Sequence, residues 1–311
     1  MKKFWMSFLL VPALSACTSK VFDGPMQLSG KWVSSDTLNL GHDTYMNHCM
    51  QCHGIDGDGK GPASPGMKPP PRSFRYGKAP YGEGSGVFIK FANVTSGEMP
   101  NDDDLKRIVR YGLRGTPMLP WDISDERLEA VVQYIKTFAP TAWKEPGATP
   151  VKLTSDPWTG REQEAIALGK KLYHGVAQCF SCHPAYASLE EISAASKEFT
   201  GNPIDSIREN PHLSENQDSS YGVKFMPPDF TKSWIRSGNK ASEIYRLLGA
   251  GVGGTTMASW KTTLSMTGDE KEAEERLWAV AHYVESLHQL KYDDKARQTF
   301  FTELNAKRAA K

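Results

Sequence analysis

Two short clusters of cysteine and histidine are the most reactive feature of this 311-residue chain. Residues 49–53 read Cys-Met-Gln-Cys-His, and residues 179–183 read Cys-Phe-Ser-Cys-His. Cysteines three positions apart lie on one side of a helical turn, so both thiols of a pair reach the same edge of a flat ring. The histidine that follows turns its imidazole toward the centre of that ring. Each cluster therefore presents two sulfurs and one nitrogen to a single bound group.

The pattern predicts covalent attachment of haem through two thioethers at each cluster. Structural zinc is one alternative, but zinc-binding cysteine pairs usually stand closer together in sequence than Cys52 and Cys179. Two exposed redox disulfides are another alternative. The repeated histidine favours two haem c groups, with iron as the metal. Their predicted attachment residues are Cys49, Cys52, Cys179 and Cys182, and the predicted iron ligands on one side are His53 and His183.

A second repeated stretch supplies candidates for the other axial position. Residues 105–118 align without a gap on residues 244–257, and both stretches end in Gly-x-x-Gly-Thr-x-Met. A thioether sulfur binds haem iron, and a His/Met pair raises the reduction potential. Glycine lets the backbone approach a ring closely. We therefore predict Met118 and Met257 as the second axial ligands; the alternatives are Met99, Met226 and His212.

These residues must be positioned by helices. Apolar side chains recur on one face of residues 125–138 and again of residues 272–287, which predicts an amphipathic helix at the end of each repeat. Strand-like alternation is scarce. The sequence thus predicts an all-α fold of two tandem haem domains with extended loops. Candidates for packing at the haem edges are Tyr76, Trp121, Phe230 and Trp260, and Arg72 is a candidate partner of a haem propionate.

The N-terminus has the features of an export signal. Two lysines precede an apolar run that is too short to span a bilayer. The small residues before Cys17 resemble the lipobox of bacterial lipoproteins, in which the cysteine carries a lipid. An ordinary secretory signal with an incidental cysteine is the alternative. Thr18 after Cys17 resembles lipoproteins sorted to the outer membrane and favours that membrane over the inner one.

Composition and cysteine use support an exported, soluble domain pair. The chain has 37 Lys+Arg against 36 Asp+Glu, which gives no reason to expect a nucleic-acid partner. Of five cysteines, four belong to the two clusters and one to the signal junction, so none is left for a disulfide. The predicted units are a signal peptide (1–16), a lipid-anchored tether (17–40), domain 1 (41–141), a linker (142–160), domain 2 (161–292) and a charged C-terminal tail (293–311).

At these residues the chain resembles class I c-type cytochromes, over roughly residues 41–141 and 161–292. Residues 49–62, with glycine after the motif histidine, look like the family's haem-attachment sequence, and Gly-Thr-Pro-Met at 115–118 looks like its distal loop. The second repeat departs from the pattern, with Pro184 after the histidine and Thr256 before the methionine. The resemblance implies electron transfer in the periplasm or at its bounding membranes.

Three functions are compatible with this pattern. The first is an electron carrier between redox proteins, since two saturated irons leave no open site. The second is a fixed electron-transfer subunit of a membrane respiratory complex. The third is a di-haem redox enzyme, either peroxidase-like or acting on a small anion. An enzyme needs an open iron, whereas each repeat carries its own methionine, so we expect an electron carrier that is not itself an enzyme, held at the membrane by its lipid.

Overall fold

The computed structural model describes residues 20–75, 91–220 and 223–309. Cys17, the predicted signal peptide and Tyr76 lie outside the described residues. The helices are α1 (Ser35–His48), α2 (Met50–His53), α3 (Asp102–Tyr111), α4 (Asp125–Lys136), α5 (Glu162–Lys171), α6 (Leu189–Thr200), α7 (Ala241–Ala250), α8 (Lys261–Ser265), α9 (Glu270–Gln289) and α10 (Asp294–Ala309). The strands β1 (Met26–Leu28) and β2 (Lys31–Val33) form one short antiparallel hairpin. The predicted all-α class is confirmed.

Two pairs of crossing helices organise the buried core. In the first repeat α1 crosses α4, and a Cβ on Gly41 would lie 2.2 Å from the carbonyl oxygen of Ala130. In the second repeat α5 crosses α9, and a Cβ on Gly169 would lie 2.1 Å from the carbonyl oxygen of Ala279. Real Cβ atoms do not approach oxygen so closely, so each crossing depends on glycine. The buried apolar side chains form a separate cluster around each crossing.

The two closing helices begin at capped residues. Ser124 accepts a hydrogen bond from the Arg127 backbone N–H at the start of α4, and Asp269 accepts one from Lys271 at the start of α9. Such side chains satisfy backbone donors that lack a partner in the first turn. The predicted helix at 125–138 is two residues shorter in the structure, and the one at 272–287 is two residues longer at each end.

The predicted tether at residues 17–40 is wrong over its second half. Leu28 and Val33 of the hairpin are buried in the first core, at 0 % and 8 % exposure, and α1 begins at Ser35. The Gly30 N–H also donates to the Lys144 carbonyl, 3.1 Å away. Residues 26–40 are therefore part of the first packed unit, because their apolar side chains complete its core.

The predicted linker at residues 142–160 is held at both ends. Trp143 is fully buried in the first core, and Trp158 is buried in the second. Between them, the Val151 N–H donates to the Asn93 carbonyl, 2.6 Å away, and the Asp156 carboxylate lies 2.7 Å from His282 Nε2. The connecting segment thus contacts both units at several points, although many of its residues are exposed.

Two segments with polar sequences also pack against the second core. In the predicted surface excursion at residues 188–220, α6 buries Ile192 completely, and a capping box joins Ser188 to Glu191. In the predicted C-terminal tail, α10 buries Leu304, while Lys307 and Lys170 both contact the Glu191 carboxylate at 2.9 Å. The charged C-terminal segment therefore packs on the second core through α10. Within the described ranges, every helix is too short or too polar to cross a bilayer.

Candidate haem sites

The first attachment motif lies at the junction of α1 and α2. The backbone N–H groups of Cys52 and His53 both donate to the Cys49 carbonyl, at 3.1 and 2.9 Å, which makes the helical turn that places both thiols on one side. His53 Nδ1 lies 2.9 Å from the Arg72 carbonyl oxygen. A carbonyl only accepts, so Nδ1 carries the proton and Nε2 presents its lone pair. This is the tautomer that a metal-binding histidine needs.

The second motif repeats this geometry bond for bond. Cys182 and His183 donate to the Cys179 carbonyl at 3.2 and 2.9 Å, and His183 Nδ1 lies 3.0 Å from the Pro228 carbonyl oxygen. The two imidazoles also stack on equivalent rings, His53 on Phe74 at 4.6 Å and His183 on Phe230 at 4.7 Å. Burial lowers the pKa of His53 and lowers that of His183 to about 4, because the charged imidazolium would lose its hydration. Both side chains are therefore neutral at pH 7.

A tyrosine fixes the end of each motif. The Tyr45 hydroxyl donates to the Gly54 carbonyl at 2.6 Å, and the Tyr173 hydroxyl donates to the Pro184 carbonyl at 3.0 Å. Each tyrosine lies four residues after the glycine of its helix crossing. The crossing and the attachment motif are thus joined by a buried hydrogen bond, which holds the motif histidine at a fixed distance from the core.

The sulfurs of Cys49 and Cys179 lie where a neutral sulfur is favoured over a thiolate. Burial is the main cause that raises the pKa of Cys49 to about 12 and that of Cys179 to about 12. Zinc ligation requires thiolates, whereas a thioether carries no charge. In addition, Cys49 and Cys179 pack against different cores. Both facts favour thioether attachment over a shared four-cysteine zinc site.

The two predicted methionine ligands lie in loops with the same internal hydrogen bonds. In the first, the Leu113 N–H donates to the Met118 carbonyl at 2.8 Å, and the Thr116 hydroxyl accepts from the Met118 N–H at 3.1 Å. In the second, Val252 and Met257 are joined at 2.8 Å, and Thr255 accepts from the Met257 N–H at 3.1 Å. The hydrogen bonds therefore give the two methionines the same backbone setting.

A glycine at the start of each methionine loop permits this geometry. Gly112 and Gly251 both have positive φ, and a Cβ on either would lie 2.6 Å from the carbonyl oxygen of the following methionine. A larger residue would push the loop outward, away from the helix that precedes it. The glycines that the sequence repeats are thus required by the fold of the loop.

One large cavity brings the second set of predicted residues together. It has a volume of about 1300 Å³ and is lined by Cys179, Cys182, His183 and Met257. Ligand pockets are typically roughly 300–1,000 Å³, so this space suits a group larger than an ordinary metabolite. Phe230 and Trp260, the predicted aromatic contacts, line the same cavity. Trp121 of the first repeat instead packs against His48, with ring centroids 5.2 Å apart.

The competing ligands of the second repeat, Met226 and His212, line the same cavity as Met257 but belong to segments bonded to the histidine side of the site. Met226 is 65 % exposed, and it adjoins the segment whose Pro228 carbonyl holds His183. His212 lines the cavity, but its loop is bonded to the attachment side, where the Glu215 N–H donates to the Cys182 carbonyl. In the first repeat, Met99 packs against the buried core. Met118 and Met257 remain our predicted ligands.

Polar atoms without protein partners show that the second cavity suits an amphipathic group with acidic substituents. The buried Trp260 Nε1 and Ser237 Oγ line the cavity and have no hydrogen-bond partner in the part of the chain that the structure describes. The Arg236 guanidinium also lines it, and burial lowers its pKa because the cation loses hydration. Haem combines an apolar ring with two propionate carboxylates that accept such donors. The residues present therefore fit haem.

Several positioning residues were not identified in advance. Phe74 was visible only as part of a repeated Pro-rich stretch, and Tyr45 and Tyr173 had no local signal beyond helical periodicity. Their spacing from Gly41 and Gly169 would have found them, since the same four-residue interval recurs in both repeats.

Residues 36–135 match the family model described as cytochrome C oxidase, cbb3-type, subunit III. Among solved structures, the chain is similar to one described as the Kuenenia stuttgartiensis reducing HAO-like protein complex Kustc0457/Kustc0458, with 28 % sequence identity and a TM-score of 0.55. The match covers 80 % of this chain and 95 % of that one. No curated protein matches the chain. The family match lies on the first repeat, and the structural match extends over both. The family match indicates a cytochrome c domain in the first repeat, and such a domain implies covalently bound haem c and haem-based electron transfer.

Proposed function

We propose that this protein transfers electrons through two covalently bound c haems, one in each repeat, each ligated by histidine and methionine. The observation that carries the proposal is the recurrence of one set of contacts at both sites. It comprises the motif turn, the Nδ1–carbonyl bond, the stacked phenylalanine, the tyrosine bond and the methionine loop. A site kept by chance for packing would not reproduce all five.

The chain's own residues prepare each site for electron transfer. Bound haem would supply an iron that gains and loses one electron without a change in ligands. Cys49 and Cys52, and likewise Cys179 and Cys182, would fix the ring covalently. The Arg72 and Pro228 carbonyls hold the two histidines in one tautomer, so no proton needs to move at Nε2. Met118 and Met257 would supply the second ligand of each iron and would thereby exclude small molecules.

A di-haem redox enzyme is the less favoured function, because each site offers two protein ligands. The discriminating measurement is the spectrum of the reduced protein with and without carbon monoxide. We expect no rapid change at neutral pH, since both irons are saturated. Rapid binding by either haem would contradict the carrier function for that site and favour catalysis there.

The number of haems is tested with paired cysteine variants. We expect the wild type to carry two haems by pyridine haemochrome assay and intact mass. The double variant Cys49→Ala/Cys52→Ala and the double variant Cys179→Ala/Cys182→Ala should each lose one. Gln51→Ala, at an exposed position within the first motif, is the matched control and should retain both. A wild type with one haem, or with none, would overturn the proposal.

We further propose that Cys17 carries a lipid and that the protein acts on the periplasmic side of a bacterial membrane, with the outer membrane favoured. The support is the pair of lysines, the short apolar run and the small residues that precede Cys17. Mass spectrometry of the N-terminal peptide should find a processed, acylated cysteine, and Cys17→Ser should release the protein from membranes. An unmodified residue 17 in the mature protein would contradict this part.

The partners that we propose are other redox proteins, held in a respiratory complex. The support is the similarity to a chain of an HAO-like complex over most of both chains. Purification in mild detergent should recover the protein with a second redox protein. Recovery as a monomer alone would favour a freely diffusing carrier.

A further inference from the structure

The wall of the second cavity is built partly by the first repeat. Phe91, Arg114 and Gly115 line the cavity that Cys179 and His183 also line. The Arg114 N–H donates to the Arg236 carbonyl at 3.2 Å, which is a direct backbone bond between the repeats. The second site is therefore complete only when the two repeats are packed together.

The contact between the repeats is closely fitted around Gly115. A Cβ on Gly115 would lie 2.7 Å from Trp234 Cδ1, so the first methionine loop lies directly on this ring. Nearby, the Ser96 N–H donates to the Ala250 carbonyl at 2.9 Å. Arg114 and Arg236 are thus held beside each other by a packed interface with bonds at more than one point.

The charges around the second cavity are strongly one-sided. The basic lining residues are Lys68, Arg114, Lys224, Lys232, Arg236 and Arg308. Among the described lining residues the one carboxylate is Asp229, and its Oδ1 already accepts from the Tyr186 hydroxyl and from Thr231. The cavity is therefore suited to a ligand with negatively charged substituents.

Arg114 and Arg236 differ from three other basic residues of the lining in the groups that they contact. Lys224 pairs with Asp218, Lys232 lies 3.6 Å from Asp229, and Arg308 donates to the Ala185 carbonyl. Arg114 donates to the amide oxygen of Asn239, which is uncharged. Arg236 is partly buried and has no anionic or hydrogen-bonding partner for its guanidinium within residues 20–75, 91–220 and 223–309. A partly buried guanidinium without an anion is costly unless a ligand supplies one.

We propose that Arg114 of the first repeat and Arg236 of the second together bind a propionate carboxylate of the second haem. The first repeat thereby sets the reduction potential of the second site. The inference rests on the proposed covalent haem at Cys179 and Cys182. Guanidinium groups bind carboxylates through two parallel hydrogen bonds, so the side chains present suit this acceptor.

The sign of the effect follows from charge. Oxidised haem iron carries one more positive charge than reduced iron, so nearby arginines disfavour oxidation and raise the reduction potential. Removing one cation about 10 Å from the iron changes the ratio of reduced to oxidised haem about tenfold at a fixed ambient potential, for an effective dielectric of about 20. For a one-electron couple, that ratio corresponds to ~59 mV.

The test is a spectroelectrochemical titration of the full-length haem-loaded protein. Met257→Ala identifies the redox wave of the second haem. Arg114→Gln and Arg236→Gln should each lower the potential of that wave, by about a tenfold change in ratio, and leave the first wave in place. Arg114→Lys, which keeps the charge, should recover most of the loss. Arg110→Gln is the matched control, because Arg110 pairs with Asp125 on the same segment.

Three results would overturn the inference. The first is that the potential of the second haem does not change in Arg114→Gln and Arg236→Gln. The second is that the potentials of both haems change equally. The third is that Arg110→Gln produces the same change in potential. Unfolding temperatures measured in parallel show whether a variant has simply lost its structure, in which case Arg114→Lys decides. Absence of haem at Cys179 and Cys182 in the wild type would instead refute the proposed function itself, and the haem count separates these two failures.

Discussion

The two repeats share every contact that positions a haem ligand and differ in what surrounds those contacts. In the first, α1 continues through Cys49 directly into the attachment motif. In the second, two more residues separate the crossing glycine from the motif, and the chain accommodates them with a π-helix at Leu172–Val176 and a left-handed Gln178 at φ 45°. The insertion is thus absorbed before the attachment cysteines.

This difference shows which parts of the design are constrained. Tyr173 keeps its bond to the residue after the motif histidine despite the insertion, as Tyr45 does without it. The second repeat then adds α6, which packs on the π-helix, and α10, which lines the cavity, whereas the first has no counterpart among its described residues. The contacts of the predicted ligands are therefore the same in the two repeats, whereas the additional helices differ between them.

The largest expected effect is on the reduction potentials. Met118→Ala should lower the potential of the first haem by roughly 0.1 V or more, and Met257→Ala should do the same for the second, because thioether ligation raises the potential. Each variant should leave the other haem nearly unchanged. Met99→Ala and Met226→Ala are the controls in redox titration; a larger shift in either control would reassign the ligand.

The helix crossings should respond next. Gly41→Ala and Gly169→Ala place a Cβ within 2.2 and 2.1 Å of a backbone oxygen, so the helices must separate, at a cost of about 3 kcal/mol in free energy of unfolding. Gly24→Ala, with open space around it, is the control. Denaturant unfolding of the haem-loaded protein measures the cost. Equal stability of the Gly41 and Gly24 variants would show that the crossing tolerates a wider spacing.

The second repeat should be the more acid-sensitive of the two. His174 is buried, donates from Nδ1 to the Lys170 carbonyl and accepts the Tyr186 N–H at Nε2. Burial lowers its pKa from 6.5 to about 4. Between these values the unfolded chain binds a proton and the folded chain does not, so the free energy of unfolding falls as pH is lowered, by about 2–3 kcal/mol at pH 4.5. The first repeat has Met46 at the equivalent position.

Thermal unfolding of wild type and His174→Gln at pH 7 and pH 4.5 measures this effect. We expect a smaller pH dependence in the variant, whatever its stability at pH 7. The other charges around the ring are those of Lys170, Glu191 and Arg308. An unchanged pH dependence would assign acid sensitivity to these groups and not to the imidazole.

The smallest expected effect is loss of the tyrosine bonds. Tyr45→Phe and Tyr173→Phe should each cost about 1 kcal/mol in free energy of unfolding, because a buried carbonyl loses its donor. Tyr111→Phe, at a site 72 % exposed, should cost nothing measurable. If Tyr45→Phe lowered the free energy of unfolding and Tyr173→Phe did not, the π-helix of the second repeat would hold the motif in place without the tyrosine hydrogen bond.

The sequence predicted the parts of the site that depend on local spacing. The two motifs, the methionine loops and the closing helices each recur in the same order along the chain, so the second copy supports the interpretation of the first. The packing of α6 was missed although Ser188 and Glu191 form a capping box, because a polar segment was interpreted as a loop. The burial of Leu304 was hidden by the charged face of α10.

The interface between repeats had no sequence signal at all. Trp234 packs against Gly115 although more than a hundred residues separate them in the sequence. The sequence around either residue does not indicate that the other is its contact. Such contacts depend on how the folded surfaces of the two repeats fit together. The sequence likewise gives no indication that Arg114 lies at a binding site, because only the folded structure brings it to the wall of the second cavity.

The position of α10 has a consequence for how the protein matures. This helix is the last element of the described chain, and its Phe301, Asn305 and Arg308 form part of the second cavity wall. Translation delivers it after Cys179 and Cys182. Until α10 docks on Glu191 and Ala185, that side of the cavity stands open. If the second cavity holds haem, as we propose, this open side would admit it before α10 docks.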